Sequence, residues 1–261
     1  MQSIAMINQK GGVGKTVCAV NIAACIERDF RKRVLIVDCD SQCNATTYLL
    51  TFSSIEPEIG IEEYINGDYS LKDVIVPVFE EFGRHIISTK MYVLPGSQSM
   101  DSMEFNDDEA FIRLLDEAES MGFDYVMFDC PANLTTPTIM CLSAVENVVV
   151  PVSGDINSLS GYGMLVDTVN SIKATTNIRL KILGMFFNNM RLYQSLDKFI
   201  YDDNKNSLGG SLFKRMIRAS ALVGQAEMVG KPLAYYRPAS DVYDDYKRLT
   251  REILSRIKKG Q

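Results

Sequence analysis

Several features that announce large classes of protein are missing from this 261-residue sequence. No apolar run approaches the roughly 20 residues that cross a bilayer. The start, Met1-Gln2-Ser3-Ile4, has no cationic stretch followed by a long apolar one, so no secretory signal is expected. Histidine is almost absent. His85 is the single one, with no partner motif around it, and a surface or packing role is expected rather than catalysis. The six cysteines are Cys18, Cys25, Cys39, Cys43, Cys130 and Cys141. No two form a C-x-x-C pair, which argues against a metal or redox centre and for reduced, mostly buried thiols in a cytosolic protein. There is no internal repeat and no low-complexity linker.

What is present is ordinary in bulk and uneven in detail. Hydrophobic residues make up 46% and charged residues 23%, the composition of a soluble globular protein. A domain of this size buries roughly three quarters of its unfolded surface, so it folds without disulfides or metal. The net charge of −6 hides a segregation. Residues 54–124 carry 17 acidic and 4 basic side chains, whereas residues 205–261 carry 12 basic and 5 acidic. The basic end can therefore meet a polyanion despite the acidic total.

Continuous apolar runs read as buried strands at Ile4–Ile7, Val34–Val37, Tyr92–Leu94, Tyr125–Phe128, Val148–Val152 and Leu180–Phe187. Helical spacing reads as helices over 15–29, 107–120, 160–174 and 240–258, the last with Ser240 as N-cap. Strands alternate with helices and are apolar throughout. The expected fold is α/β: a doubly wound, mostly parallel sheet with helices on both faces, in one domain spanning 1–261. The irregular acidic stretch 53–90 is expected to be a peripheral insertion.

Lys10-Gly11-Gly12-Val13-Gly14-Lys15-Thr16 stands between the first strand and the first helix, where a phosphate-binding loop belongs. Glycines let backbone N–H groups converge on phosphate oxygens, and the helix turns its positive end to the anion. Gly11, Gly12, Val13, Gly14, Lys15, Thr16 and Val17 are the candidate nucleotide-binding residues. Lys15 reaches the β- and γ-phosphates, and the Thr16 hydroxyl suits a Mg²⁺ ligand. The loop departs from G-x-x-x-x-G-K-[ST] at its first glycine, where Gln9 stands. The dinucleotide pattern G-x-G-x-x-G does not occur. Two strands run into carboxylates, Asp38-Cys39-Asp40 and Asp129-Cys130-Pro131. Asp129 fits the metal side. Of Asp38 and Asp40, one should face the attacking water and one should support the loop.

Together these residues resemble the deviant Walker A ATPases of the ParA/Soj–MinD group. The Lys10–Thr16 string matches their K-G-G-x-G-K-[ST] loop. Val34 to Thr46 is similar to V-L-L-V-D-x-D-P-Q-G-N-A-T, departing at Ser41 for proline and at Cys43 for glycine. Phe128-Asp129-Cys130-Pro131 resembles their Walker B segment. Arg215–Ser220 resembles R-x-x-R-x-S, and Lys231-Pro232-Leu233 the stretch after it, although Ala221-Leu222 stands where glutamate-alanine is common. The resemblance spans nearly the whole chain and is weakest over 53–90.

The resemblance implies ATP and Mg²⁺ as ligands, with slow, partner-stimulated hydrolysis. It implies that Lys10 reaches across a homodimer formed on ATP binding to the partner's phosphates. Catalysis would rest on Lys10, Asp40 and Lys15, with Asp40 orienting the water. Thr16, Asp38 and Asp129 would form the metal surroundings. Asn188 or Asn189, with Asn188 preferred, would read adenine. It further implies non-specific DNA binding by the dimer, a ParB-like adaptor, and a cytoplasmic, nucleoid-associated protein serving plasmid or chromosome partition. Lys214, Arg215, Arg218, Lys247 and Arg251 are the candidate DNA contacts. No separate operator-binding domain is expected before the first strand. The competing reading is a MinD-like ATPase that cycles on membranes, which needs a C-terminal amphipathic helix with bulky apolar residues. The tail Ile253–Gln261 has three aliphatic residues and no aromatic one, so a packed helix and no membrane contact are expected. A metal-cluster or reductase ATPase finds no support in the cysteine spacing. A regulator using ATP only as a dimerisation switch is the remaining alternative.

Overall fold

The computed structural model describes residues 1–53, 55–82, 85–105, 107–154, 157–191, 199, 201–203 and 208–260. Seven strands form one sheet: β1 (Gln2–Met6), β2 (Val34–Asp38), β3 (Val76–Phe82), β4 (His85–Leu94), β5 (Tyr125–Asp129), β6 (Asn147–Ser153) and β7 (Lys181–Asn188). Their order is β3-β4-β2-β5-β1-β6-β7. Every neighbouring pair is parallel except β3 and β4 at one edge. The inner strands are buried almost throughout, as strands between two helical layers must be.

Alternating side chains of one strand enter two different cores. Ala5, Leu35 and Val37 join Phe111, Leu114, Leu142 and Leu165 on one face. Those partners come from α5 (Ala110–Ser120), α6 (Thr136–Ala144) and α7 (Asn157–Thr175). Ile4, Met6 and Ile36 join Ile22, Ile26, Tyr246 and Ile253 on the other. That face is covered by α1 (Lys15–Phe30) and α10 (Asp241–Lys259), with α2 (Asn44–Leu50), α8 (Ala221–Met228) and α9 (Leu233–Tyr236). Tyr246, Leu249 and Ile253 of α10 are wholly buried. Each contributes on the order of 1.5–3 kcal/mol by leaving water. The doubly wound α/β architecture is thus the one the alternation of strands and helices implies.

Two helix starts differ from the sequence pattern, and the Ser240 cap agrees with it. The helix expected from 107 begins at Ala110, because the Asp107 carboxylate accepts the Glu109 N–H at 2.9 Å and holds a turn there. The helix expected over 160–174 extends from Asn157 to Thr175. The closing helix starts after Ser240, whose hydroxyl accepts the Tyr243 N–H at 3.4 Å. The stretch 53–90 lies at the sheet edge yet is packed rather than appended. It supplies α3 (Ile61–Ile65), α4 (Leu71–Val74) and the β3–β4 pair, and Ile61, Tyr64, Leu71 and Val74 are buried in the same core as Phe111. The side chain of His85 lies outside the described residues.

The topology decides where a ligand can sit. From β1 the chain crosses through α1 to β2 on one side, and from β5 it crosses back to β6 on the other. The crevice beyond the carboxyl ends of the strands at such a reversal is the binding place of open α/β sheets. Register brings the relevant ends level, with Met6 opposite Asp129 and Asp38 opposite Asp129.

Candidate functional site

The loop between β1 and α1 is shaped by its glycines. Gly12 (φ 75°) and Gly14 (φ 84°) adopt left-handed backbone that side chains disfavour. A Cβ on Gly14 would also stand 2.5 Å from Asn188 Nδ2, so any other residue there would have to displace that side chain. Above Gly11 and Gly12 a Cβ would meet nothing within 4 Å, so the loop faces open space. Gly14 is the N-cap of α1, and no side chain caps that helix end. The first N–H groups of a 16-residue helix therefore point outward without a partner from a capping side chain, which is the arrangement that binds anions.

Two buried polar residues hold the loop from behind. Asn8 donates to the Pro151 carbonyl at 2.7 Å and accepts the Lys10 N–H at 2.9 Å. Asn188 donates to the Val13 carbonyl at 2.9 Å. Lys15, the first residue of α1, is only 8% exposed. Burial lowers its pKa, while Asp129 and Asp40 act in the opposite direction. An ammonium short of water and close to two carboxylates is ready to exchange them for phosphate oxygens.

The three carboxylates play different parts in the geometry. Asp38 is fully buried and its oxygens are used by the protein. Oδ2 accepts from the Thr46 N–H and hydroxyl at 2.8 and 2.7 Å, and Oδ1 from the Asp40 N–H at 3.3 Å. Burial pushes its carboxyl up to about 6, with the Thr46 bonds opposing. Asp129 is equally buried, and neither of its oxygens makes a hydrogen bond of full geometry, with the Thr16 hydroxyl a nearby donor. Burial and the Asp38 charge raise its pKa well above the usual carboxylate range, against the pull of Thr16 and Lys15. A carboxylate buried without donors is costly unless a cation completes it. Asp40 is less buried. Its Oδ1 accepts the Gln42 N–H at 3.0 Å, and its side chain lines the cleft.

The cleft is a cavity of about 510 Å³ bounded by Gly11, Gly12, Gly14, Lys15, Thr16, Val17, Asp40, Asn44, Asp101, Asn133 and Glu227, among others. A smaller pocket of about 230 Å³ shares Gly12, Gly14 and Val17 with it and contains both Asn188 and Asn189. Asn188 is buried, and Asn189 is exposed with a left-handed φ of 57°. Both asparagines reach the same pocket, which leaves the two on equal footing. Sequence reasoning missed Asn8, Thr46, Asp101 and Glu227. A polar residue ending an apolar strand was the available signal for Asn8; the others become visible only when distant loops meet. It also missed Asn21, which is fully buried, accepts the Leu233 N–H at 2.8 Å and thereby fastens the Lys231-Pro232-Leu233 stretch to α1.

The basic candidates divide. Lys214, Arg215 and Arg251 come together with Arg248 and Lys259 around one groove on the outer face of α10. The Glu252 carboxylate orders it, accepting the Lys214 and Arg215 N–H groups at 3.0 and 3.2 Å. Arg218 stands beside this groove but is engaged. Its Nε and Nη2 donate to the two Asp245 oxygens at 2.6 and 3.0 Å, and Nη1 donates to Asp241 at 3.1 Å. Lys247 is not part of the cluster. It faces α1, 3.6 Å from Asp29 and over the Tyr243 ring. Arg248 was not singled out from the sequence; helical spacing from Arg251 is the signal that finds it.

A family model described as AAA domain matches residues 1–182. The chain is 30% identical over 260 residues to the chromosome-partitioning ATPase Soj of Thermus thermophilus, covering 100% of this chain and 98% of that protein. It is 29% identical over 257 residues to the sporulation initiation inhibitor protein Soj of Bacillus subtilis, covering 97% and 98%. Among solved structures it is similar to the cell division ATPase MinD of Pyrococcus furiosus, with a TM-score of 0.78 at 20% identity over 97% of this chain and 98% of that one. It is likewise similar to the cobyrinic acid a,c-diamide synthase of Mycobacterium smegmatis with bound ADP and magnesium, with a TM-score of 0.78 at 22% identity over 100% and 97%. At those identities the structural likeness speaks for the fold alone.

Proposed function

The chain belongs to the AAA domain family and to the Soj/ParA group of P-loop ATPases, and on that footing we propose that it is a DNA-partitioning ATPase that dimerises on ATP, binds DNA without sequence preference and leaves it on hydrolysis. The observation that carries this reading is the meeting of an uncapped helix N-terminus and a buried lysine on one cleft, with the buried Asp129 carboxylate close to that lysine. The donor set fits a magnesium nucleotide: Thr16 and Asp129 offer oxygens to the metal, and Asp38 supports them from behind. Bound Mg²⁺ supplies charge neutralisation on the β- and γ-phosphate oxygens.

The chain's own residues do the rest. Backbone N–H groups of Gly11 to Thr16 cradle the phosphates, and Val17 borders the path toward the base. Lys15 exchanges its carboxylate neighbours for phosphate. Asp40 Oδ2 orients the attacking water, with Oδ1 fixed by the Gln42 N–H. Lys10, positioned through Asn8, reaches the partner's phosphates in the dimer. Asn188, with Asn189 beside it, reads the base. Lys214, Arg215 and Arg251 contact DNA phosphates, joined by Arg218 once it leaves Asp245. Lys247 takes part only if it leaves Asp29. A ParB-like adaptor stimulates hydrolysis, and the protein works in the cytoplasm on the nucleoid. A MinD-like membrane cycle has less support, because the apolar face of α10 is spent in the core. No helix among the described residues is long and apolar enough to cross a membrane.

The test is retention on random-sequence DNA at low salt with ATP, ADP or no nucleotide, run beside liposome co-sedimentation. ATP-dependent retention that fades as salt rises is expected. Liposome binding that survives DNase, without DNA retention, would replace this reading with the membrane one. Mixing inactive Lys10→Ala and Asp40→Ala subunits is expected to restore part of the ATPase if the site is shared.

A further inference from the structure

One acidic side chain in the cleft belongs neither to the strand ends nor to the phosphate loop. Glu227, on the last turn of α8, lines the same cavity as Lys15 and Thr16. The smaller asparagine pocket adjoins that cavity along Gly12, Gly14 and Val17. Helix α8 walls both. Val223 and Gly224 face the smaller pocket, and Glu227, one turn later on the same helix face, faces the larger. Its side chain is exposed.

A carboxylate facing the phosphates would oppose a triphosphate. A nucleotide laid from Lys15 to Asn188 has one uncharged section between its charged end and its base. That section is the ribose, which carries two hydroxyl donors and suits an ionised acceptor. We propose that Glu227 accepts hydrogen bonds from the ribose hydroxyls and makes this site selective for ribonucleotides over 2′-deoxyribonucleotides. The proposal rests on the reading of the cleft as an ATP site. A site built to hold a substrate hydroxyl rejects the analogue that lacks it, because the polar group is then left without its partner.

The experiment is calorimetric titration of the full chain with MgATP and with magnesium 2′-deoxyATP, for the wild type, Glu227→Ala and Glu227→Gln. The wild type is expected to prefer ATP by about tenfold, the scale of a charge-assisted hydrogen bond. In Glu227→Ala the ratio should fall toward one, because ATP, which offers both hydroxyls, loses more affinity than 2′-deoxyATP, which offers one. Glu227→Gln, still an acceptor, should retain part of the preference. A wild-type ratio of one, or a preference that survives in Glu227→Ala, overturns the assignment while leaving the ATP site intact. Failure of the wild type to bind either nucleotide overturns the reading of the cleft, and this inference with it.

Discussion

The two charged ends of this molecule are built by opposite means. At the phosphate loop the backbone does the work: glycine conformations, strand register and an uncapped helix fix the donors, and Lys15, Asp38 and Asp129 are buried. On the outer face of α10 the side chains do the work, and they are exposed and partly neutralised by their own acids. A preorganised buried site concentrates its function in a few atoms, so single changes should act steeply. An exposed set of cations shares its function among many, so single changes should act by degrees.

The largest effect is expected at Asp129. Its carboxylate is buried with no hydrogen bond of full geometry, and its pKa is driven up by burial and by Asp38 against the Thr16 hydroxyl and Lys15. Asp129→Asn should lower ATP turnover by about 100-fold or more, since it removes the metal-side charge. The same change should stabilise the nucleotide-free protein, on the order of 1–3 kcal/mol, because an amide is cheaper to bury than an unpartnered charge. Turnover assays and thermal melts in EDTA check the pair. A melting temperature that falls along with activity would mean that Asp129 has partners in the free protein and that the contrast drawn here fails. Added Mg²⁺ with ATP should raise the wild-type melting temperature and leave that of Asp129→Asn nearly unmoved.

Next come the arginines. Arg215→Ala should weaken DNA binding several-fold at every sequence and reduce the salt slope by about 1, the signature of one lost phosphate contact. Arg218→Ala should cost less when ADP is bound than when ATP is bound, because in the free chain its guanidinium is held by Asp245 and Asp241. Asp245→Asn should raise DNA affinity in the wild type and do so far less when Arg218 is alanine. An equal gain in both backgrounds would reduce the acid's role to its field alone. Filter binding over a salt series separates these cases.

The two regions also differ in how much of them could be read from sequence. The loop Lys10–Thr16 and the carboxylates at Asp38, Asp40 and Asp129 sit on strand ends whose apolar runs are plain, so motif and fold support one another. What stayed hidden was held by long-range contact. Thr46 meets Asp38 only because α2 folds back over β2, and Glu227 enters the cleft from a segment 211 positions after Thr16 in the chain. Cys43, where the resembled pattern has glycine, takes a left-handed φ of 49° to begin α2. Cys43→Gly is therefore expected to stabilise the fold by about 0.5–1 kcal/mol, a shift that denaturant titration resolves. On the basic face, composition marked the region but could not divide it. A count of lysines and arginines does not say which side of α10 each one occupies, nor that Arg218 is already paired.

Lys247 is the sharpest probe of that limit, and the smallest effect. It is as basic as Arg251 and stands one helical turn from it, so sequence treats the two alike. In the fold its ammonium lies 3.6 Å from Asp29 and over the Tyr243 ring, on the α1 side of the helix. Lys247→Ala should leave the DNA affinity and its salt slope where they were, whereas Arg251→Ala lowers both. Its effect on stability should stay within about 1 kcal/mol, the scale of a half-exposed ion pair. A salt slope reduced equally by Lys247→Ala and Arg251→Ala would mean that DNA wraps past the groove onto the α1 side. The graded, one-sided surface described for α10 would then have to be widened to include Lys247, and the distinction between its two sides would lose its functional meaning.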